Sequence, residues 1–206
     1  MTITLHHDDL PAEVLAQWEK LPSIAVDTET MGLQIGRDRL CLIQLCSPTG
    51  EVHLVQFRNG YDAPNLKALL ANPNITKLFH FARFDLASIQ RYLGVVATPV
   101  FCTKIASRLV RTYTDKHGLK ELVREQLGME LSKQQQSSDW GAAQLSPEQL
   151  TYAASDVLHL HGLRDRLQAM LIRENRLELA IACFDFLASR VELDLQGWSD
   201  QDIFAH

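Results

Sequence analysis

Residues 39–57 read RLCLIQLCSPTGEVHLVQF. Two runs rich in Leu, Ile and Val, Arg39–Cys46 and Glu51–Phe57, flank the turn SPTG at 47–50. A link this short joins two strands as an antiparallel hairpin. Upstream, Ser23–Val26 is a shorter apolar run that leads into DTET. Downstream the pattern changes to alternation. A short helix begins at Asn65–Leu70, then Ile75–Phe79 (ITKLF) reads as a strand and Ala82–Leu93 as a helix. Val100–Thr103 reads as a short strand before a helix at 104–111, and Leu119–Leu127 as a helix between Gly118 and Gly128. A hairpin meander followed by alternating helix and strand predicts an α/β fold: a mixed five-stranded sheet flanked by helices. Such a sheet places ligands at the carboxyl ends of its parallel strands.

The second half is helical. Residues 129–141 (MELSKQQQSSDWG) are polar and read as loop. Pro147–Ile172 and roughly Arg176–Val191 read as long helices, either separate or one broken piece, and LDLQGWSDQDIFAH closes the chain. No repeat or flexible linker divides the sequence, so residues 1–206 read as one domain. Its C-terminal helix and tail, from about residue 174, are expected to pack on that domain or on a neighbouring subunit.

Composition narrows the function. The 206 residues are 46% hydrophobic and 22% charged, enough apolar content for one full core. Net charge is −5, whereas a protein gripping long nucleic acid through many phosphates is usually basic. A polyanionic ligand would have to be short, or held by a metal or a local patch. No run of 18 apolar residues predicts a membrane span, and MTITLHHDDLPAEV is not a secretory signal. Cys41, Cys46, Cys102 and Cys183 form no C-x-x-C pair, which points to buried thiols in a reducing cytoplasm rather than zinc.

The chemistry-bearing residues are acids. Asp27 and Glu29 in DTET are two apart on a strand end, so their side chains share a face. Two carboxylates so placed repel unless a cation lies between them. Asp85, in LFHFARFDLAS, lies in the first turns of the helix leaving the fourth strand, with His80 and Phe81 at the junction. The helix from Pro147 opens with SPEQ: Ser146 as N-cap, Pro147 in the first turn, and Gln149 completing a capping box. Tyr152 and Asp156 stand four apart on it, one above the other. Taken singly, each residue also fits a structural role. Asp85 complements a helix dipole, and Tyr152 packs on a core.

The order of these motifs carries more than any one of them. DTET, HFARFD and YAASD resemble, in sequence, the three exonuclease motifs of the DEDD 3′–5′ exonucleases, and Tyr152 places the resemblance in the DEDDy branch. KQQQSSDW at 133–140 and SPEQLTYAASDVLHL are similar to ribonuclease D. The resemblance spans roughly residues 20–170 and implies a ribonuclease H-like, DnaQ-like exonuclease fold. There are two departures from ribonuclease D. About 50 residues follow Asp156, too few for its helical nucleic-acid-binding domains, and Phe81 stands where Asn is usual. Both departures, and the tail, resemble the nanoRNase C family, stand-alone enzymes that trim very short RNAs, down to dinucleotides, and assemble as octamers.

The resemblance implies roles. Asp27, Glu29, Asp85 and Asp156 hold two divalent cations, Mg²⁺ or Mn²⁺, which suit an all-carboxylate set. Asp27 bridges the ions, Glu29 and Asp156 complete the site that activates water, and Asp85 supports the second ion through waters. Tyr152 orients the attacking water. Leu33 is the apolar wedge between the last two bases, and Gly32 lets the backbone approach the 3′ nucleotide. Thr28, His80, Phe81 and Phe84 complete the expected substrate-binding set, with Lys133 and Trp140 from the loop before the last motif. Solvated helix faces account for most of Lys104, Arg108, Arg111 and Lys116.

Three readings remain at this point. The first is a metal-dependent 3′–5′ exoribonuclease acting on short single-stranded RNA, cytoplasmic and homo-oligomeric. The second is a ribonuclease D-like processor of structured RNA, or a DNA exonuclease. The third is an inactive nucleic-acid-binding module on the same fold.

Overall fold

The computed structural model describes residues 2–131 and 138–206. Strands β1 (Thr2–His7), β2 (Ser23–Thr30), β3 (Leu40–Cys46), β4 (Glu51–Gln56), β5 (Thr76–Phe79) and β6 (Val100–Cys102) form one sheet in the order β1-β4-β3-β2-β5-β6. The hairpin expected from 39–57 is present as the antiparallel pair β3–β4, and β2 runs antiparallel to β3. β5 and β6 then add in parallel beyond β2, and β1 lies parallel to β4 at the other edge.

The sheet therefore has six strands, not five. The extra one is TITLHH, whose alternation of Thr with Ile and Leu is a period-two strand signal in a segment that carries no other marker. Every residue of β3 is buried, as its continuous apolar run requires of a strand covered on both faces. DTET is the second half of β2, the strand end expected for it.

The helices are α1 (Ala12–Trp18), α2 (Pro64–Ala71), α3 (Ala82–Leu93), α4 (Thr103–Val110), α5 (Leu119–Leu127), α6 (Pro147–Leu158), α7 (Leu160–Arg173) and α8 (Leu177–Leu193). The span 147–172 is broken at His159, so α6 and α7 are separate helices sharing that residue as a cap. The break lets α6 cross β2, β3 and β4 while α7 turns to pack on α4 and α5.

α8 buries Ala180, Phe184, Leu187 and Val191, a helical stripe that seats it on α3, α4 and β6. Beyond it a wide turn, Asp194–Trp198, folds back over α3. Asp194 pins this turn by accepting from Arg83 and Arg190, each at 2.6 Å. Among the described residues no helix is long and apolar enough to cross a membrane.

Candidate active site

Alternation along β2 turns Asp27 and Glu29 toward the same side of the sheet. α6 delivers Asp156 to them. Its start is fixed by the capping box: the Ser146 hydroxyl accepts from the Gln149 amide at 3.2 Å, and Gln149 Oε1 accepts from the Ser146 amide at 2.9 Å. One ligand oxygen each from Asp27, Glu29 and Asp156 lie within 4.8 Å of one another. Asp85 arrives from the first turn of α3 and is buried beside them. Tyr152, one turn before Asp156, lines the same cavity as that carboxylate. The structure thus brings together all five residues singled out in the three motifs.

A chain with no cation here holds a strongly frustrated cluster. Burial, then repulsion from Asp85, Asp156 and Glu29, raises the Asp27 carboxyl far above the usual carboxylate range. Burial and its acid neighbours push Glu29 up to about 9. Asp85 is raised by burial to about 7 despite the hydrogen bond it accepts from Thr28. Asp156 also rises by burial to about 7, against the opposing effect of Tyr152. The Tyr152 phenol is raised above its ordinary value by burial and by Asp156, Glu29 and Asp27, so it stays protonated and acts as a donor. Such a group orients an oxygen; it does not take a proton from one.

The cluster floors a cavity of about 320 Å³, whose walls include His80, Phe81, Lys104, Lys120 and Leu131. His80 Nδ1 lies 2.9 Å from the Thr103 hydroxyl, which itself donates to the Phe79 carbonyl at 3.1 Å. Nδ1 must then carry the proton, which leaves Nε2 as an acceptor. Burial, with Lys104 nearby, lowers His80 to about 3, so the ring is neutral. Phe81 caps α3 with φ 68° and ψ 47°, a left-handed conformation uncommon for a bulky residue. It holds the ring half out of the protein, where Lys104 Nζ lies 4.1 Å from the ring centroid.

The expected substrate-binding residues divide. Leu33 is 84% exposed, so it is not a core leucine. With Phe81 and Phe84 it lines a neighbouring groove of about 680 Å³. At Gly32 a Cβ would collide with the Asp38 carboxylate, which accepts from the Gln34 amide and so ties this loop together. Thr28 lines the catalytic cavity, and its hydroxyl donates to Asp85 Oδ1 at 2.6 Å, so its side chain positions that carboxylate. Trp140 is corrected. It is 3% exposed and lies behind Tyr152, ring centroids 6.1 Å apart, so it backs the phenol instead of meeting phosphate. Lys133 falls outside the described residues. Arg111 is fully buried against Glu125 and the Lys116 carbonyl, a structural role.

Two further side chains belong to the site, one on the cavity wall and one buried behind the acids. Lys120 lines the cavity from the first turn of α5, with no motif to mark it. Gln44 is paired with Asp27 across β2 and β3, with its Nε2 3.4 Å from Asp27 Oδ2. Its signal was a lone amide inside the apolar run LCLIQLC.

A family model described as 3′–5′ exonuclease matches residues 2–172. Ribonuclease D of Acidiphilium cryptum is 36% identical over 157 residues, 76% of this chain but 40% of that protein. The chain thus spans less than half the length of that curated relative. The structure of Brucella melitensis NrnC bound to pGG superposes with a TM-score of 0.95 at 51% identity, over 100% of this chain and 99% of that one. The same nuclease with bound Mg²⁺ gives 0.94 at 50% identity, over 100% of each.

Proposed function

Because the chain belongs to the 3′–5′ exonuclease family, in the branch of NrnC, we propose that it hydrolyses very short RNA from the 3′ end to nucleoside 5′-monophosphates. The observation that carries this reading is the convergence of Asp27, Glu29, Asp156 and Tyr152 on one small cavity, with Asp85 buried behind them and Leu33 exposed on a neighbouring groove. Four carboxyls, each raised by burial, offer only oxygen, the donor set that hard divalent cations take. Asp27, Glu29 and Asp156 would hold Mg²⁺ or Mn²⁺, with Asp85 supporting a second ion. When bound, the pair lowers the pKa of water and neutralises charge on the attacking and leaving oxygens.

The chain's own groups do the positioning. Thr28 fixes the Asp85 carboxylate, and Gln44 lies beside Asp27. Tyr152, protonated and backed by Trp140, donates to oxygen at the reacting centre and sets the line of attack. Leu33 separates the two terminal bases, Phe81 and Phe84 offer them aromatic faces, and Lys104 and Lys120 meet phosphate oxygens. The NrnC bound to pGG supports a dinucleotide-sized substrate.

The same reading places the enzyme in the cytoplasm as a homo-oligomer, the octamer its resemblance implies. Its free cysteines support the first, and the exposed Ile203 and Phe204 of the tail the second. The deciding experiment is a time course on 5′-labelled RNAs of two to about twenty nucleotides, with Mg²⁺ and with chelator. Mononucleotides appearing only with metal, and from the shortest RNA, bear the reading out; an inert chain overturns it.

A further inference from the structure

A second cavity, of about 490 Å³, opens behind the catalytic one between α3, α4 and α8. The two share a wall, since the Phe81 ring and Lys104 line both. Its interior is apolar, with Ile105, Phe186 and Leu187 facing one another across it. Its charged lining residues are Arg83, Lys104, Arg108 and Arg190, with no acid among the lining. In a chain of net charge −5 that is a local inversion of sign.

The four cations are not equivalent. Arg83 and Arg190 are already bonded to Asp194. Lys104 and Arg108 sit one turn apart on the same face of α4, where like charges repel. Neither makes a salt bridge to a carboxylate among the described residues. Two adjacent uncompensated cations at the edge of an apolar cavity of small-ligand size are complementary to a ligand with a flat apolar body and a compact anion at one end.

We propose that this cavity is a second, non-catalytic nucleotide site, which takes a nucleoside monophosphate with its base between Phe81 and Phe186 and its phosphate at Lys104 and Arg108. The choice of a nucleotide rests on the exonuclease reading, because the shared wall puts the cavity beside the point where monophosphates would be released. Occupancy would engage Phe81 and Lys104 and so slow turnover, making the product a brake that acts from outside the reacting centre.

Calorimetric titration of the full chain with AMP in excess EDTA tests this, because EDTA removes the metal that would hold a phosphate at the catalytic acids. Arg108→Glu reverses one cation and Ala182→Trp fills the mouth; both positions are exposed, so neither disturbs the core. AMP should bind saturably, one per chain, and each variant should weaken it at least about tenfold, with initial rates on a dinucleotide unchanged within about twofold. Adenosine alone and inorganic phosphate alone should each bind more weakly than AMP. Absence of AMP binding, binding untouched by Arg108→Glu, or phosphate binding as tightly as AMP overturns the proposal. If Ala182→Trp fails to fold, Arg108→Glu alone decides. RNA hydrolysis is read separately, so failure of the exonuclease reading and failure of this site give different results.

Discussion

The Thr28 hydroxyl donates to Asp85 Oδ1 across 2.6 Å, joining the first acidic motif on β2 to the second on α3. The bond is buried, and it opposes the effect of burial on the Asp85 carboxyl. Partners that orient a metal-binding carboxylate typically matter about 10–100-fold in affinity or activity. Thr28→Val should therefore raise the Mg²⁺ concentration needed for half-maximal rate and lower kcat/KM by about that factor, while Thr28→Ser should restore most of both. Activity titrated against Mg²⁺ for the three proteins checks it. A Val variant with an unchanged metal response would leave Thr28 a wall residue only.

Tyr152 stays protonated, a donor backed by the Trp140 ring. Removing one positioned catalytic group costs about 10²–10⁴-fold in rate. Tyr152→Phe keeps the ring packing, so kcat should fall within that range with KM little changed. Its phenol is raised above the ordinary value, so the wild-type rate should show no alkaline loss from this group below about pH 10. Steady-state kinetics of the two proteins across pH separates orientation from proton transfer.

The carboxylate cluster also makes stability depend on pH. A carboxyl whose folded pKa lies above its unfolded value binds protons more tightly when folded, so its contribution is greatest in acid and is lost as the pH rises between the two. The window runs from 4.5 to about 9 for Glu29 and from 3.8 to about 7 for Asp85 and Asp156. In EDTA, Tm should therefore fall from pH ~5 to pH ~8, and Mg²⁺ should restore it at the higher pH. Asp27→Asn should raise the metal-free Tm at pH ~8, by about 2–4 °C for each kcal/mol of repulsion relieved. A metal-free melting curve that is flat or rising over this range contradicts the account.

How much of this was readable in the chain depends on whether a residue's role is local. The hairpin at 39–57, the capping box at Ser146 and the i, i+4 pair Tyr152–Asp156 are local patterns, and the structure contains each. β1 escaped because an edge strand needs little apolar content: its residues are only partly buried, and its pairing with β4 lies far away in sequence. The break at His159 has no Gly or Pro to mark it; packing of α6 on the sheet and α7 on α4 sets it. The partners of Trp140 and Thr28, the Tyr152 ring and the Asp85 carboxylate, are reached only through the fold. The left-handed turn at Phe81, which exposes the ring shared by the neighbouring cavities, is likewise imposed by its surroundings, since phenylalanine does not favour it.

The last prediction concerns Leu33 and substrate length. A leucine left 84% exposed contributes little to folding, so Leu33→Ala should change stability by no more than about 0.5 kcal/mol. Its cost should appear in catalysis, where it stands across a groove from Phe81 and Phe84. A long single strand gains affinity from each added phosphate contact and loses it with salt, at roughly −0.7 in log–log slope per contact. With net charge −5 and a cavity of about 320 Å³ at the acids, this chain offers a short substrate nearly all the contacts it offers a long one. We therefore predict that a 5′-phosphorylated dinucleotide is cut at least as efficiently as a strand of about ten to twenty nucleotides, with weak salt dependence. Leu33→Ala should lower kcat/KM for the dinucleotide more than hydrolysis of a phosphodiester lacking a second base. The measurement is kcat/KM against length at two salt concentrations for both proteins. A value that climbs steadily with length, with the dinucleotide left uncut, would assign the site to longer RNA instead and take the wedge role from Leu33.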